Sequence, residues 1–278
     1  MKKIGFIDYY ISEWHANNYP EWIKAANEAL GTDYEVAYVW AEIDVSPIDG
    51  VTTDQWCEKF GATRCATVDE LCEKSDVIMI LSPSFPEKHL PYAKAALPYK
   101  KRTYIDKSFA PNLETAKEIF AIAEKYGTPF FSTSALRYAS ELEDIKDARK
   151  VSFTGGGRSF EEYCIHTIEM AVILLNDPVK EAVAGELDGH LFCRAFTENG
   201  KEVSITYDPT FTFSVDDGSG VKSISSDFFA TLLKKILEFY ESGKLPFDGA
   251  QTLEVMRMRD CLLAACACKG TTVEAKLK

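Results

Sequence analysis

Short apolar runs alternate with helical patterns over the first 133 residues, and this alternation restricts the fold more than any other feature of the chain. Segments 3–8, 34–40, 76–81, 102–106 and 129–133 are rich in β-branched and aromatic residues, as in Asp76-Val-Ile-Met-Ile-Leu81 and Thr103-Tyr-Ile-Asp106. Runs this short and this continuously apolar read as strands covered on both faces. Helix starts lie between them, at Thr67-Val-Asp-Glu70 and at Asn112, the second pattern continuing through Phe120 to a stop at Gly127. Parallel neighbours need a crossover, and strand–helix–strand repeated four or five times supplies one each time. The reading for residues 1–133 is therefore a doubly wound, Rossmann-like parallel sheet of nucleotide-binding type, with helices on both faces.

The texture changes near residue 134. One helix, at about 160–175, is followed by closely spaced strand-like runs instead of further alternation. Glu198-Asn199-Gly200 reads as a hairpin turn between runs 191–197 and 202–207, with another strand at 211–215. Two helices follow, at about 225–242 and 250–268. Residues 134–278 thus read as an α+β domain with a mostly antiparallel open sheet, serving substrate binding and oligomerisation. An open sheet leaves a face for self-packing, which points to a homodimer or homotetramer.

The formal charge of −12, from 31 Lys+Arg against 43 Asp+Glu, repels phosphate backbones and anionic lipid, so neither nucleic acid nor membrane is an expected partner. Asp8 interrupts the N-terminal apolar run too early for a signal peptide, and no 18-residue apolar stretch occurs, so the expected location is the cytoplasm. Eight cysteines lie scattered without a Cys-x-x-Cys pair or a neighbouring histidine set. They read as reduced core thiols, with no metal site and no disulfide expected.

In open parallel sheets, ligands bind beyond the carboxyl ends of the strands. After strand one the sequence runs Asp8-Tyr9-Tyr10-Ile11-Ser12-Glu13-Trp14-His15, where a dinucleotide-binding turn ordinarily has glycines; Asp8 and Glu13 put charge there instead, and Tyr10 puts bulk. Ser82 and Pro83 follow the run 76–81, and Asp106-Lys107-Ser108 follows the run 102–106. A lysine at a strand end in a partly dry site polarises a substrate hydroxyl; the plainer alternative is a solvated lysine near Lys100, Lys101 and Arg102. Further on, a flexible Gly155-Gly156-Gly157 loop leads into a helix on which Glu162, His166 and Glu169 share one face. A carboxylate one turn from an imidazole raises its basicity, which suits proton transfer from a hydroxyl. Ser159-x-x-Glu162 equally fits a capping box, which gives Glu162 a structural role. Tyr9, Tyr10, Trp14, Arg137, Tyr138 and Tyr163 are candidates to supply ring faces and hydrogen bonds to a polyhydroxylated small molecule, or else core and interface residues.

Taken together, these residues resemble the Gfo/Idh/MocA superfamily of nicotinamide-dependent sugar and cyclitol oxidoreductases. The likeness is strongest over 76–138, through Asp76–Pro83, His89, Asp106-Lys107-Ser108-Phe109-Ala110, Thr128-Pro-Phe-Phe and Arg137-Tyr138, and it runs more weakly to His166 and the final helix. It implies a catalytic set of Lys107, Glu162 and His166. The histidine acts as base or acid, the lysine polarises the hydroxyl, and the acid positions both, while hydride passes to or from nicotinamide C4. It implies cofactor contacts from Asp8, Tyr9, Tyr10, Glu42, Ser82, Pro83, His89 and Asp106, and substrate contacts from Trp14, Arg137, Tyr138 and Tyr163. Glu42, after strand two, suits the adenine ribose hydroxyls and so favours NAD over NADP. The sequence departs from the family pattern at Asp106 and Ser108, which stand where the signature has glutamate and proline, and at Glu162, where aspartate is usual. Cys164 stands where glycine is common, and every glycine of the fingerprint at 8–13 is gone. The alternative that these departures leave is a member that has lost nicotinamide and survives as a carbohydrate-binding or scaffolding protein.

Overall fold

The computed structural model describes residues 1–275. In the first unit, six strands form one parallel sheet: β1 (Lys2–Asp8), β2 (Tyr34–Ala41), β3 (Thr63–Arg64), β4 (Val77–Ile80), β5 (Thr103–Ile105) and β6 (Phe130–Phe131), in the spatial order β3-β2-β1-β4-β5-β6. Their crossovers carry α1 (Trp14–Leu30), α2 (Thr53–Phe60), α3 (Val68–Lys74), α4 (His89–Ala96) and α5 (Leu113–Tyr126). The strand order reverses between β1 and β4, which places the ligand-binding crevice of such a sheet at their carboxyl ends. Thr67 and Asn112 cap α3 and α5 by accepting from the Glu70 and Thr115 amides, as their spacing predicts. Gly5 lets α3 settle close on β1, since a Cβ there would lie 2.5 Å from the Leu71 side chain. The two-residue β3 has no sequence signature of its own, and both its residues are exposed.

In the second unit, β7 (Lys150–Gly155), β8 (Val179–Leu187), β9 (His190–Thr197), β10 (Glu202–Tyr207), β11 (Phe213–Asp216), β12 (Val221–Ile224) and β13 (Val273–Glu274) form a sheet ordered β12-β11-β7-β10-β9-β8-β13. Its pairings are antiparallel except β7 with β10. The predicted hairpin is β9–β10, with Gly200 at φ 72°, a left-handed turn position that glycine occupies without strain. Helix α6 (Phe160–Leu175) is buried nearly all round, and Arg259 of α8 (Gly249–Ala267) donates to the Glu161 carbonyl on it at 3.2 Å.

One segment departs from the division at 133/134. Residues 229–248, containing nearly all of α7 (Phe228–Ser242), belong with Met1–Thr133; the second unit is Ser134–Phe228 and the chain from Gly249. Leu232, Leu233, Ile236, Leu237, Phe239 and Tyr240 of α7 are all buried, and contacts of the last two tie the helix to the parallel sheet. The Tyr240 hydroxyl donates to the Ile78 carbonyl of β4 at 2.6 Å, and Phe239 stands edge-on to Phe131 at 5.1 Å. Hydrophobic periodicity identified α7 as a helix but carries no information about which sheet it covers. Among the described residues, no helix is long and apolar enough to cross a membrane.

Candidate active site

The turn after β1 is packed shut. Asp8, Tyr10 and Glu13 are all buried. Glu13 N-caps α1, its carboxylate accepting from the His15 amide at 2.8 Å and from the Ala16 amide. These first-turn amides are the donors that a helix N-terminus ordinarily offers to a phosphate. Burial, with the Asp8 charge adding, pushes the Glu13 carboxyl up to about 8, against the pull of His15 and the two amides. Asp8 is pushed up to about 8 as well, by burial above all, although its Oδ1 accepts from the Tyr9 amide (2.7 Å) and the Ser82 hydroxyl (3.0 Å). Its Oδ2 is buried without a hydrogen-bond partner among the described residues. Tyr9 and Tyr10 pack on Phe85 at 4.7 and 5.8 Å.

The ends of β2, β4 and β5 are different. Glu42 accepts from Lys88 Nζ at 2.6 Å and from the Tyr92 hydroxyl at 2.7 Å; burial opposes its ionisation, but these two donors outweigh burial and hold its carboxyl below the ordinary range. Lys107, nearly buried, donates from Nζ to the Pro83 carbonyl at 3.5 Å. Asp106 is fully buried and bridged to His15 Nδ1. Burial raises its carboxyl, yet the His15 and Lys107 charges more than offset this and hold it below the usual carboxylate range. The Tyr19 ring stacks on His15 at 5.3 Å.

Three of the candidate residues make contacts within the fold. His89 is fully buried, with Nδ1 2.9 Å from the Phe109 carbonyl and Nε2 against the Leu81 carbonyl. Arg137 is bound inside the second unit, Nε donating to Glu169 at 2.6 Å and Nη1 to Gln251 at 2.7 Å. Tyr138 shares that short helical turn, with its hydroxyl buried. Trp14, by contrast, is half exposed, edge-on to Trp22 and Phe229 at 5.4 and 5.1 Å.

In the second unit, His166 lies buried on α6 with Nδ1 2.7 Å from the Ser134 hydroxyl. Rings surround it: Phe213 at 5.5 Å and Tyr163 at 5.8 Å, with the exposed Phe211 5.2 Å beyond Tyr163. Glu162 pairs with Arg158 at 2.6 Å, and its amide donates to Ser159, the N-cap of α6. The preceding glycines serve close approach rather than flexibility. A Cβ on Gly156 or Gly157 would come 2.6 Å from the Tyr207 or Tyr163 ring. Sequence reasoning missed Ser134 and Phe213, which have no signature before the fold brings them to His166. It also passed over His15, although its place just after strand one was a usable signal.

A dinucleotide fits this first unit unevenly. Glu42 lies just past β2, where an acid of such a sheet meets ribose hydroxyls, and both its oxygens already accept from Lys88 and Tyr92. Lys107 and Pro83 lie at the β4 and β5 ends, where such sheets bind ligands. At the diphosphate position, however, Glu13 already holds the α1 amides, so a bound diphosphate competes with that carboxylate. Among the described residues, no group of three or more His, Cys, Asp or Glu is arranged to hold a metal ion.

Residues 36–134 match the sequence model of an oxidoreductase family described as having an NAD-binding Rossmann fold. A 66-residue stretch is 36% identical to an uncharacterized oxidoreductase, YhhX, of Escherichia coli K12, covering 23% of this chain and 19% of that protein's length. The whole chain resembles a probable dehydrogenase from Thermotoga maritima, with a TM-score of 0.76, 14% identity and 98% of each chain covered. It also resembles a myo-inositol dehydrogenase from Lactobacillus casei in complex with NAD(H) and myo-inositol, with a TM-score of 0.79, 13% identity, and 100% of this chain and 97% of that one covered. At such identities these two likenesses establish the fold of both units.

Proposed function

We propose, from the premise that residues 36–134 belong to the NAD-binding Rossmann domain of the Gfo/Idh/MocA oxidoreductase family, that this chain is an NAD(P)-dependent dehydrogenase or reductase acting on a carbinol of a sugar, cyclitol or sugar acid. The observation that carries the reading is Lys107: it lies inside the matched segment, nearly buried, just past the carboxyl end of β5. The full-length likeness to a dehydrogenase solved with NAD(H) and myo-inositol supports it.

Bound nicotinamide supplies C4 as the hydride acceptor or donor. The Lys107 ammonium donates to the substrate oxygen and stabilises the charge that develops there. His166 takes the hydroxyl proton as the carbinol carbon gives up hydride, and returns it in the reverse direction. Glu162, one turn earlier on α6 and itself paired with Arg158, positions the two. The Tyr163, Phe211 and Phe213 rings offer apolar faces to the C–H side of a ring polyol. Glu42 orders the adenine ribose and selects NAD over NADP. Self-association through the second unit's open sheet gives a homodimer or homotetramer.

The test is a screen of sugars and cyclitols for hydride transfer, followed by Lys107→Ala and His166→Ala on the substrate found. Each variant lowers kcat by about 10²–10⁴-fold. Unchanged turnover in both removes the assignment.

A further inference from the structure

The imidazole proposed as the base is held by a residue from another element. Ser134 is fully buried and N-caps the short helical turn Ala135–Tyr138, its hydroxyl oxygen accepting from the Leu136 amide at 3.2 Å and lying 2.7 Å from His166 Nδ1. The turn is anchored by buried Arg137, which binds Glu169 on α6 and Gln251 on α8. Ser134 Oγ is thus fixed relative to the helix that carries His166. Phe213, edge-on at 5.5 Å, and Tyr163, tilted at 5.8 Å, restrict rotation of the ring.

We propose that Ser134 is a positioning residue that accepts from His166 Nδ1–H, fixing the neutral ring as the Nδ1–H tautomer and directing proton exchange to Nε2. The inference rests on His166 being the base. A hydroxyl oxygen accepts up to two hydrogen bonds, and accepting from the Leu136 amide is compatible with accepting from the imidazole as well. In the Nδ1–H tautomer and in the imidazolium alike, Nδ1 donates to the same oxygen. A substrate proton therefore arrives at Nε2, and leaves again, without the serine hydroxyl rotating. Were Ser134 to donate to Nδ1, it would have to turn round each time the ring became charged. Partner-fixed tautomers matter to catalysis because the wrong one presents a proton where a lone pair is needed.

The tautomer is read without turnover, by nitrogen-15 NMR of the histidine-labelled full chain above neutral pH, with His166→Gln assigning the ring among the four histidines. The proposal expects pyrrole-type Nδ1 and pyridine-type Nε2 in the wild type. In Ser134→Ala the tautomer shifts towards Nε2–H, kcat falls by roughly 10–10³-fold with little change in KM, and the acid limb of the pH–rate profile moves. Ser134→Thr, which keeps the hydroxyl, restores both tautomer and rate. An Nε2–H ring in the wild type overturns the proposal on its own, even if Ser134→Ala does not fold, and so does an unchanged tautomer in Ser134→Ala. If the tautomer behaves as stated but His166→Gln turns over normally, the base assignment fails and the tautomer assignment stands.

Discussion

The turns after β1 and β5 flank the same central strand, β4, and have taken opposite courses. After β5, a nearly buried lysine, Lys107, stands just past the strand end. After β1, three side chains fill the space that glycines leave open, and a carboxylate of the chain itself satisfies the α1 amides. The two regions are also joined. His15, one residue into α1, holds Asp106 at the start of the β5 turn. The missing glycines and the replaced glutamate of the lysine signature, which look like separate departures in the sequence, are one packed unit in the fold.

The largest expected effects separate the two turns by function. Lys107→Ala removes about 10²–10⁴-fold of kcat, whereas Glu13→Gln, which still caps α1, leaves kcat near the wild type and shifts cofactor affinity instead. A comparable loss of kcat in Glu13→Gln would erase the distinction. Next comes the bond that joins them. Asp106→Ala leaves His15 buried beside a lost partner and lowers stability by about 3–5 kcal/mol in chemical denaturation. A double-mutant cycle with His15→Ala recovers a substantial coupling energy, and a coupling near zero would make them independent features after all.

The third effect is pH dependence. Burial pushes the Asp8 and Glu13 carboxyls up to about 8 in the fold, well above the ordinary carboxylate range of the unfolded chain. Between those limits the folded chain binds more protons than the unfolded one, so stability falls as pH rises from about 4 to about 8, by at most about 1.4 kcal/mol per pH unit per group. Asp106, held low, acts in the opposite sense, and its contribution disappears only as pH falls through its depressed folded value, below the ordinary range. Asp8→Asn with Glu13→Gln flattens the upper window; an unchanged slope would mean that these carboxyls are hydrated. The smallest effect belongs to the second unit. Arg158→Ala breaks an i,i+4 pair whose arginine is mostly exposed, and changes stability by no more than about 0.5 kcal/mol.

Much of this was legible in the residues. The apolar runs and the caps at Thr67 and Asn112 marked the parallel sheet because burial on both faces writes itself into composition. The hairpin at Asn199-Gly200 was legible because its turn needs a left-handed residue. Lys107 and His166 stood out through their resemblance to a family pattern. Other features depend on contacts between distant segments. Arg137, a candidate for substrate, also binds Glu169; His89, a candidate for the cofactor, lies between two carbonyls; residues 229–248 read as part of the second domain and group with the first. Ser134 carries no local signal, since only folding brings it to His166, 32 positions away.

The central claim is that a dinucleotide binds despite the filled β1 turn. Calorimetry and nicotinamide fluorescence on protein cleared of carried-over nucleotide test it most directly, with NAD, NADH, NADP and NADPH as titrants. NAD or NADH is expected to bind with an affinity on the order of micromolar, tighter than their phosphorylated counterparts. Absence of binding by all four up to millimolar concentration would contradict it.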